Sequence, residues 1–216
     1  MAGPRGEYRK SAERRSQILE AAFAVFARSG YTGSSVNEIA RAVGMTQTGV
    51  LHHFSGGKMA LLQAVLQQRD VRAELLLAGR HGRDFLAGLV EISRLQAGQR
   101  GVVQLYTLLA AEATDPEHPA RAYFTERFRH IADAVTTAFA EEAAAGGLRE
   151  GVDPRRAALS TLATTEGLEL LWLDGLDVDM AEDIRCHISG FLRTPLVVPG
   201  PAPSPAGPAP STAGAS

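Results

Sequence analysis

The feature that most constrains the fold is a pair of closely spaced helix signals between residues 30 and 58. Ser35 is a residue type favoured just before a helix, and Glu38, three residues later, completes the pattern of a capping box. Gly44 lies where this short helix must end, because glycine readily adopts a positive φ. Thr46 can then cap a second helix. The sequence therefore predicts two short helices joined by a tight turn.

The second of these helices, about residues 47–53, places Gln47, Thr48 and Gly49 on its first turn. In a helix-turn-helix protein, that turn reaches base edges in the major groove of DNA. The pattern therefore indicates a DNA-reading helix. From these residues alone an ordinary helical hairpin is the alternative, since short capped helices joined through glycine are common.

Flanking segments predict further helices around this pair. Residues 11–29 carry apolar side chains at helical spacing, including Ile18 and Phe26, and Gly30 ends the segment. Another amphipathic helix begins near Lys58 and extends to about residue 77. The N-terminal third is thus predicted to form three helices followed by a connecting helix.

With these motifs the chain resembles the TetR family of bacterial transcriptional regulators over about residues 12–72. The resemblance rests on Ile18-Leu19-Glu20-Ala21-Ala22, Phe26, Gly30-Tyr31, Ser35-Val36, Ile39-Ala40, Gly44-Met45, Gly49-Val50-Leu51, His53-Phe54 and Lys58. It implies an all-α fold of about nine helices, with an N-terminal helix-turn-helix domain and a C-terminal helical domain for effector binding and dimerisation. It also implies a repressor that a small molecule releases from its operator.

Two positions depart from the usual pattern of that family. His52 stands where the family usually has tyrosine, and an imidazole, unlike a tyrosine hydroxyl, changes charge near neutral pH. The spacer Ser55-Gly56-Gly57 before Lys58 is one residue longer than usual. Both departures lie at the end of the reading helix, where they affect contact with DNA.

The predicted DNA-binding residues are Ser35, Thr46, Gln47, Thr48, Gly49, His52, His53 and Lys58. Gln47 and Thr48 are expected to contact bases, and Gly49 lets the helix approach closely. Ser35, His52, His53 and Lys58 are expected to hold phosphates, which position the protein without reading the sequence. Because one short helix reads few base pairs, we expect a homodimer on double-stranded DNA with an inverted-repeat operator.

Charge is distributed unevenly along the chain, whose net charge is −2. Residues 1–75 contain 10 Lys and Arg against 6 Asp and Glu, or +4, and the remainder contains 12 against 18, or −6. The basic part coincides with the predicted reading helix, as phosphate binding requires. Arg14 and Arg15 are further candidates for phosphate contact; for residues 5–10 an ordinary solvated basic segment is the alternative.

We predict four segments: a basic flexible arm (1–10), the helix-turn-helix domain (11–75), a helical effector-binding and dimerisation domain (76–195) and a disordered tail (196–216). Proline and glycine divide the third segment into five helices. The tail, rich in Pro, Ala and Gly, has too few bulky apolar residues to fold. By resemblance, the last two helices, about 154–173 and 180–193, pack against their copies in a second subunit.

No apolar run is long enough to span a membrane and no secretory signal is visible, so we expect a cytoplasmic protein without a membrane partner. Cys186, the single cysteine, cannot form an intrachain disulfide. It is expected to be a small buried residue of a helix, and a redox switch is the alternative.

Candidate effector-binding residues are Tyr106, Phe128, Glu166 and Trp172, in otherwise apolar helices. Glu169 shares this setting, and a buried carboxylate needs a partner or a cavity. Packing within the core or across the dimer axis is the alternative for Tyr106, Trp172 and Glu166. The effector itself cannot be named from these residues.

Other classes of function find little support in the sequence. Glu126 and His130 are four residues apart, as metal ligands might be, but a solvated pair is the simpler interpretation, and no metal or cofactor is predicted. Without a phosphate loop, nucleophile elbow or paired metal motif, an enzyme is not expected. The alternative is a DNA-binding regulator whose C-terminal domain only dimerises or binds a protein partner, without an effector. A sizeable apolar cavity in that domain would favour the effector.

Overall fold

Residues 4–198, the part of the chain that the computed structural model describes, fold into nine α-helices. Side chains are described over this range except at residues 4–8 and 69–74. The helices are α1 (Pro4–Ser29), α2 (Val36–Ala42), α3 (Gln47–His53), α4 (Gly57–Leu77), α5 (Gly82–Ala97), α6 (Arg100–Glu112), α7 (Arg121–Ala144), α8 (Pro154–Leu173) and α9 (Met180–Ser189). This confirms the all-α prediction. Among the described residues, no helix combines the length and apolarity needed to cross a membrane.

Local caps fix the ends of the two short helices, as the sequence predicts. The Ser35 hydroxyl oxygen accepts the backbone N–H of Glu38 at 3.1 Å, and the Thr46 hydroxyl caps α3 in the same way. Gly44 has a φ of +65°, the left-handed conformation that ends α2. The reciprocal half of the capping box is wrong, because the Glu38 carboxylate contacts Arg28 of α1 instead. This ion pair holds α2 against α1.

α1 begins earlier than the sequence predicts, at Pro4 rather than at residue 11. Proline suits the first turn of a helix, and Arg9 pairs with Glu13 one turn later, at 3.6 Å. Residues 4–10 therefore continue the helix instead of forming a separate flexible arm. The remainder of the predicted arm, residues 1–3, lies outside the described residues.

At the other end, ordered packing extends into the predicted tail. Leu196 is buried, and its N–H donates to the Ser189 hydroxyl at 3.0 Å. Its carbonyl oxygen accepts from Arg185 at 3.3 Å. An apolar side chain at position 196 thus keeps the chain on the core beyond Pro195. Residues 199–216, most of the predicted tail, lie outside the described residues.

Buried apolar side chains form two cores that do not follow the predicted domain boundary after residue 75. The first core combines α1–α4 with α6 and the start of α7, and its largest fully buried members are Ile18, Phe26, Ile39, Leu61, Leu62, Leu66, Leu105 and Leu109. The second combines α5, the rest of α7, α8 and α9, around Leu86, Phe139, Ile184 and Ile188. By its packing, α6 therefore belongs with the helix-turn-helix unit.

Cys186 is exposed, so its predicted burial is wrong. Ile184 and Ile188 face the second core, and a step of two residues along a helix turns a side chain to nearly the opposite side. The thiol lies instead beside the Glu182 carboxylate, with Sγ 3.3 Å from Oε1.

Candidate DNA-binding surface and ligand cavity

The first turn of α3 faces solvent. Gln47 and Thr48 are both exposed, whereas Val50 and Phe54 on the other side of the helix are buried in the first core. Packing of these two apolar side chains into the first core therefore fixes which side of α3 points outward. The two residues predicted to contact bases lie on that outward side.

Thr46 and Gly49 have structural roles within the turn itself. The Thr46 hydroxyl oxygen accepts the Gly49 N–H at 3.1 Å, which fills its role as a cap. A Cβ atom at Gly49 would approach Met45 Cε to 3.1 Å and Thr46 Oγ1 to 3.3 Å. The glycine thus makes room for the Met45 side chain that plugs the corner between α2 and α3. Close approach to DNA is a separate expectation for this residue.

The C-terminal end of α3 is held by Arg15 of α1. The Arg15 guanidinium donates to the His53 carbonyl at 2.8 Å and lies 4.0 Å from the centre of the Phe54 ring. A cation at this position is also attracted by the partial negative charge at the C-terminal end of α3. Arg15 therefore fastens α3 to α1, a role that its sequence position did not indicate. His52 is exposed and His53 half-buried.

Lys58 points towards the corner after α1. Its ammonium lies 4.4 Å from the centre of the Tyr31 ring. Burial lowers the pKa of Lys58, and attraction to Glu112 offsets only part of that effect. A tight turn just before Lys58 accommodates the extra spacer residue. In this turn Gly57 adopts a φ of +66° and donates its N–H to the Phe54 carbonyl at 2.9 Å. In this structure the Lys58 ammonium thus faces the protein rather than the outer side of α3.

A small cavity of about 20 Å³ lies between α5, α6, α7 and α8. The residues that line it are Gln96, Tyr106, Phe124, Arg127, Phe128, Glu166 and Glu169. This volume has room for about one water molecule. Of the four predicted effector residues, Tyr106, Phe128 and Glu166 are brought together here. Trp172 is not, because its ring lies under the Arg100 guanidinium, 5.4 Å away.

Sequence reasoning missed Gln96, Phe124 and Arg127 as lining residues. Phe124 and Phe128 are one turn apart on α7, with ring centres 6.0 Å apart, so the helical repeat of Phe128 was a usable signal. Arg127 lies between them, and its guanidinium is 4.6 Å from the centre of the Tyr106 ring. For Gln96, which comes from α5, only the tertiary fold brings the residue to the cavity.

The cavity contains two carboxyl groups, Glu166 and Glu169, close to one guanidinium. Burial raises the pKa of Glu169 to about 8, the charge of Glu166 adds to the rise, and Arg127 lowers it. Burial also raises the pKa of Glu166, against the pull of Arg127. A carboxyl group that stays protonated near neutral pH is thus built into the wall of the cavity.

Away from the cavity, Glu126 and His130 are the pair of residues considered as metal ligands, and Glu126 is paired with an arginine instead. The Glu126 carboxylate accepts from Arg129 at 2.5 Å, one turn along the same exposed helix face. Within the described residues, no three His, Cys, Asp or Glu side chains come together in a way that could hold a metal ion.

Comparisons with known proteins agree with this architecture. Residues 18–65 match the sequence profile described as "Bacterial regulatory proteins, tetR family". The HTH-type transcriptional regulator SrpR of Pseudomonas putida is 41% identical over 63 residues, 29% of this chain and 29% of SrpR. The HTH-type transcriptional repressor AcnR of Corynebacterium efficiens is 29% identical over 179 residues, 74% of this chain and 88% of AcnR. The chain thus spans less than half the length of SrpR and of TtgW, a second relative from P. putida.

Solved structures share the fold along most of the chain. The complex of SmeT with triclosan has a TM-score of 0.72 at 22% identity and covers 88% of this chain and 99% of SmeT. SmeT is the repressor of the multidrug efflux pump SmeDEF of Stenotrophomonas maltophilia. The profile match falls on α1–α4, the helices that carry the Ser35 and Thr46 caps and the exposed first turn of α3. The N-terminal unit of the chain, matched over residues 18–65, belongs to the TetR family of bacterial regulatory proteins.

Proposed function

We propose that the protein is a homodimeric transcriptional repressor that binds an inverted-repeat operator through α3 and leaves it when a small-molecule effector binds. The observation that best supports DNA reading is the solvent-facing first turn of α3, with Gln47 and Thr48 exposed over a buried underside. Ser35 and Thr46 are proposed to meet phosphates; both are exposed at the start of a helix, and the first turn of a helix attracts anions.

The remaining proposed contacts lie at the two ends of α3. Gly49 allows the helix to approach the groove, and His52 and His53 meet phosphates at its C-terminal end. Lys58 reaches a phosphate if its side chain leaves the Tyr31 ring when DNA binds. On this division, base contacts supply specificity and phosphate contacts supply affinity.

Binding to DNA is tested by selecting bound sequences from a random pool with the purified protein. The selected sequence is then titrated at two salt concentrations. We expect an inverted repeat, bound with an affinity that falls steeply as salt rises, because phosphate contacts release counterions. A pool that yields no repeated half-site, with only weak salt-sensitive binding, would contradict the proposal.

The Gln47→Ala variant should relax specificity at one base position by about 1–3 kcal/mol, because it removes a base contact. Lys58→Ala should instead weaken binding to all sequences alike and reduce the salt dependence. Gln63→Ala, an exposed glutamine of α4, is the matched control and should change neither. Titration of the selected operator and its single-base variants distinguishes these effects. Equal losses on every sequence for both Gln47→Ala and Lys58→Ala would refute the assignment of roles.

Dimerisation is supported by apolar side chains that α8 exposes in the single chain. Leu159, Leu170 and Leu171 are 47%, 57% and 41% exposed, respectively. Such residues are over-represented where a helix packs against a partner, since exposed apolar patches mark interaction surfaces. We propose that α8 and α9 pack against their copies in a second subunit, forming a four-helix bundle.

Leu170→Lys should convert the dimer into a monomer at micromolar concentration, because a charge would be buried at the contact between subunits. Leu75→Lys, at a leucine of α4 that is 72% exposed, should leave the dimer intact. Sedimentation at micromolar concentration measures the oligomeric state of both variants. A wild-type protein that sediments only as a 22.9 kDa species would contradict the dimer itself.

Effector binding is proposed for the cavity between α5 and α8, whose aromatic wall suits a hydrophobic cation. Because burial keeps Glu169 protonated near neutral pH, such a cation would bind with loss of the Glu169 proton. The volume of about 20 Å³ favours the second candidate function, a regulator whose C-terminal domain only dimerises or binds a protein, unless ligand entry opens the site.

Thermal unfolding separates the two candidates. The probes are tetraphenylphosphonium, a hydrophobic cation, and triclosan, the ligand of SmeT. An effector should raise the unfolding temperature of the wild-type protein and release it from the selected operator. The Glu169→Gln variant should respond less to the cation. If neither probe shifts the unfolding temperature or the operator affinity, neither compound is an effector. That result would favour the second candidate, a regulator without an effector.

A further inference from the structure

The corner after α1 forms a binding site for a side chain of the distant helix α6. The Glu112 carboxylate, on the last residue of α6, accepts the Tyr31 N–H at 2.7 Å through Oε2 and the Thr32 N–H at 3.1 Å through Oε1. Successive backbone N–H groups that converge in this way form a concave site for an anion. The contact links residues 80 and 81 positions apart in sequence.

The contact also requires a glycine at position 30, at the end of α1. Its φ of +67° turns the chain out of α1, and a Cβ atom there would lie 2.5 Å from Glu112 Oε1. Cβ atoms do not approach other atoms so closely, so a larger residue would push the flexible Glu112 carboxylate out. The glycine that ends α1 thus serves two purposes, since it also opens the space that Glu112 fills.

Two further side chains surround the same carboxylate. Lys58, at the start of α4, places its ammonium over the Tyr31 ring and attracts Glu112. His118, in the α6–α7 turn, makes a T-shaped contact with the same ring, and its Nε2 lies 3.6 Å from Glu112 Oε2. The His118 side chain is only 5% exposed, and Nε2 has no hydrogen-bond partner among the described residues. Its Nδ1 accepts the Ala120 N–H, so Nε2 carries the hydrogen of the neutral ring.

These contacts join the DNA-reading unit to the helices that line the cavity. Tyr106, which lines the cavity, lies six residues before Glu112 on α6, a rise of about 9 Å. A shift of α6 would move this carboxylate and, with it, the corner between α1 and α2. α2 in turn contacts both α1 and α3. In the proposed dimer, the two corners would therefore set the angle between the two copies of α3.

We propose that Glu112 is a positioning residue that fixes the angle of the helix-turn-helix unit, and thereby the half-site spacing that the dimer accepts. This inference rests on the proposed function, because it requires a dimer on an inverted repeat. Glu112 touches no DNA. Loss of the Glu112 contact should leave binding to a single half-site intact. It should relax the requirement for one fixed spacing between the two half-sites.

The experiment compares Glu112→Gln with Glu117→Gln, an exposed glutamate in the α6–α7 turn that loses the same charge. In Glu112→Gln, an NH₂ group faces one of the two backbone N–H groups, so that one hydrogen bond is lost. Each protein is titrated with the selected operator, with operators whose spacer is two base pairs longer or shorter, and with a single half-site. We expect discrimination between spacers to fall about fivefold or more in Glu112→Gln. Affinity for the single half-site should stay within about twofold.

A second variant approaches the same contact from the other side. Gly30→Ala expels the carboxylate and also strains the backbone at this positive φ, and should produce at least the same loss of spacer discrimination. Amide exchange at Tyr31 and Thr32 should be faster in both variants. Spacer discrimination equal to that of Glu117→Gln would overturn the inference. So would an equal loss of affinity for the single half-site, which would make Glu112 a residue of general stability. A wild-type protein that selects no inverted repeat would instead overturn the proposed function, and this inference with it.

Discussion

At about pH 8.5 the Glu169→Gln variant should unfold at a higher urea concentration than the wild-type protein, whereas at about pH 5 the two should differ little. Burial raises the pKa of the Glu169 carboxyl from its ordinary 4.5 to about 8, and the charge of Glu166 adds to the rise. Glutamine has the same shape and no charge. The variant therefore avoids ionisation inside the protein.

The direction of the pH effect follows from the two states of the chain. Below about pH 4.5 both the folded and the unfolded protein are protonated at this position, and its stabilising contribution is fully present. Between about pH 4.5 and 8 the unfolded chain ionises while the folded protein stays protonated, and the wild type loses about 1.4 kcal/mol for each pH unit. Above about pH 8 the loss is complete, at a few kcal/mol.

Urea unfolding at a fixed protein concentration, followed across this pH range, measures the effect. Other groups titrate in the same range, so the informative quantity is the difference in unfolding free energy between variant and wild type. Glu150→Gln, an exposed glutamate, should show no such difference. A constant difference between wild type and Glu169→Gln from about pH 5 to 8.5 would mean that Arg127 keeps the carboxylate ionised.

Leu109→Ala should reduce the free energy of unfolding by about 2–5 kcal/mol and loosen the helix-turn-helix unit. Leu109 lies in α6, far along the chain from the reading helix. It is nevertheless fully buried in the core that α1–α4 share with α6. Removing its side chain leaves a cavity in the core that α6 shares with α1 and α4. Hydrogen exchange should therefore accelerate in α1 and α4 first, and DNA binding should fail at a lower temperature.

Leu86→Ala is the matched comparison, because Leu86 is equally buried but lies in the second core. It should produce a similar loss of stability, with faster exchange in α5 and α9 rather than in α1 and α4. Leu95→Ala, at a leucine that is 49% exposed, should change the unfolding free energy little. Identical exchange patterns in Leu109→Ala and Leu86→Ala would show that the two cores do not respond separately.

Local signals account for what the sequence predicted well. Ser35, Gly44 and Thr46 act on backbone groups within three or four residues, so that residue type alone fixes the helix ends of the reading unit. Proline and glycine likewise marked the five helices that follow. The capping box failed in its second half because Arg28, from another helix, competes for Glu38.

Contacts between distant segments explain the remainder. Arg15 and Lys58 appear in the sequence as basic residues near a DNA-reading helix, but one fastens α3 and the other lies over Tyr31. The cavity wall draws Gln96 from α5, which no periodicity in α6–α8 could indicate. Trp172 was a reasonable candidate by residue type, and only its packing against Arg100 removes it from the cavity.

The sharing of a core between α1–α4 and α6 limits how regulators of this kind can be recombined. A chimaera joined after residue 75 would keep the reading helices but exchange Leu105 and Leu109 for side chains shaped to another protein's α1, and would lose the carboxylate that seats at Tyr31 and Thr32. A functional graft of this reader onto a foreign sensor should therefore carry α6 and the following turn with it. The module that can be transplanted is discontinuous in sequence.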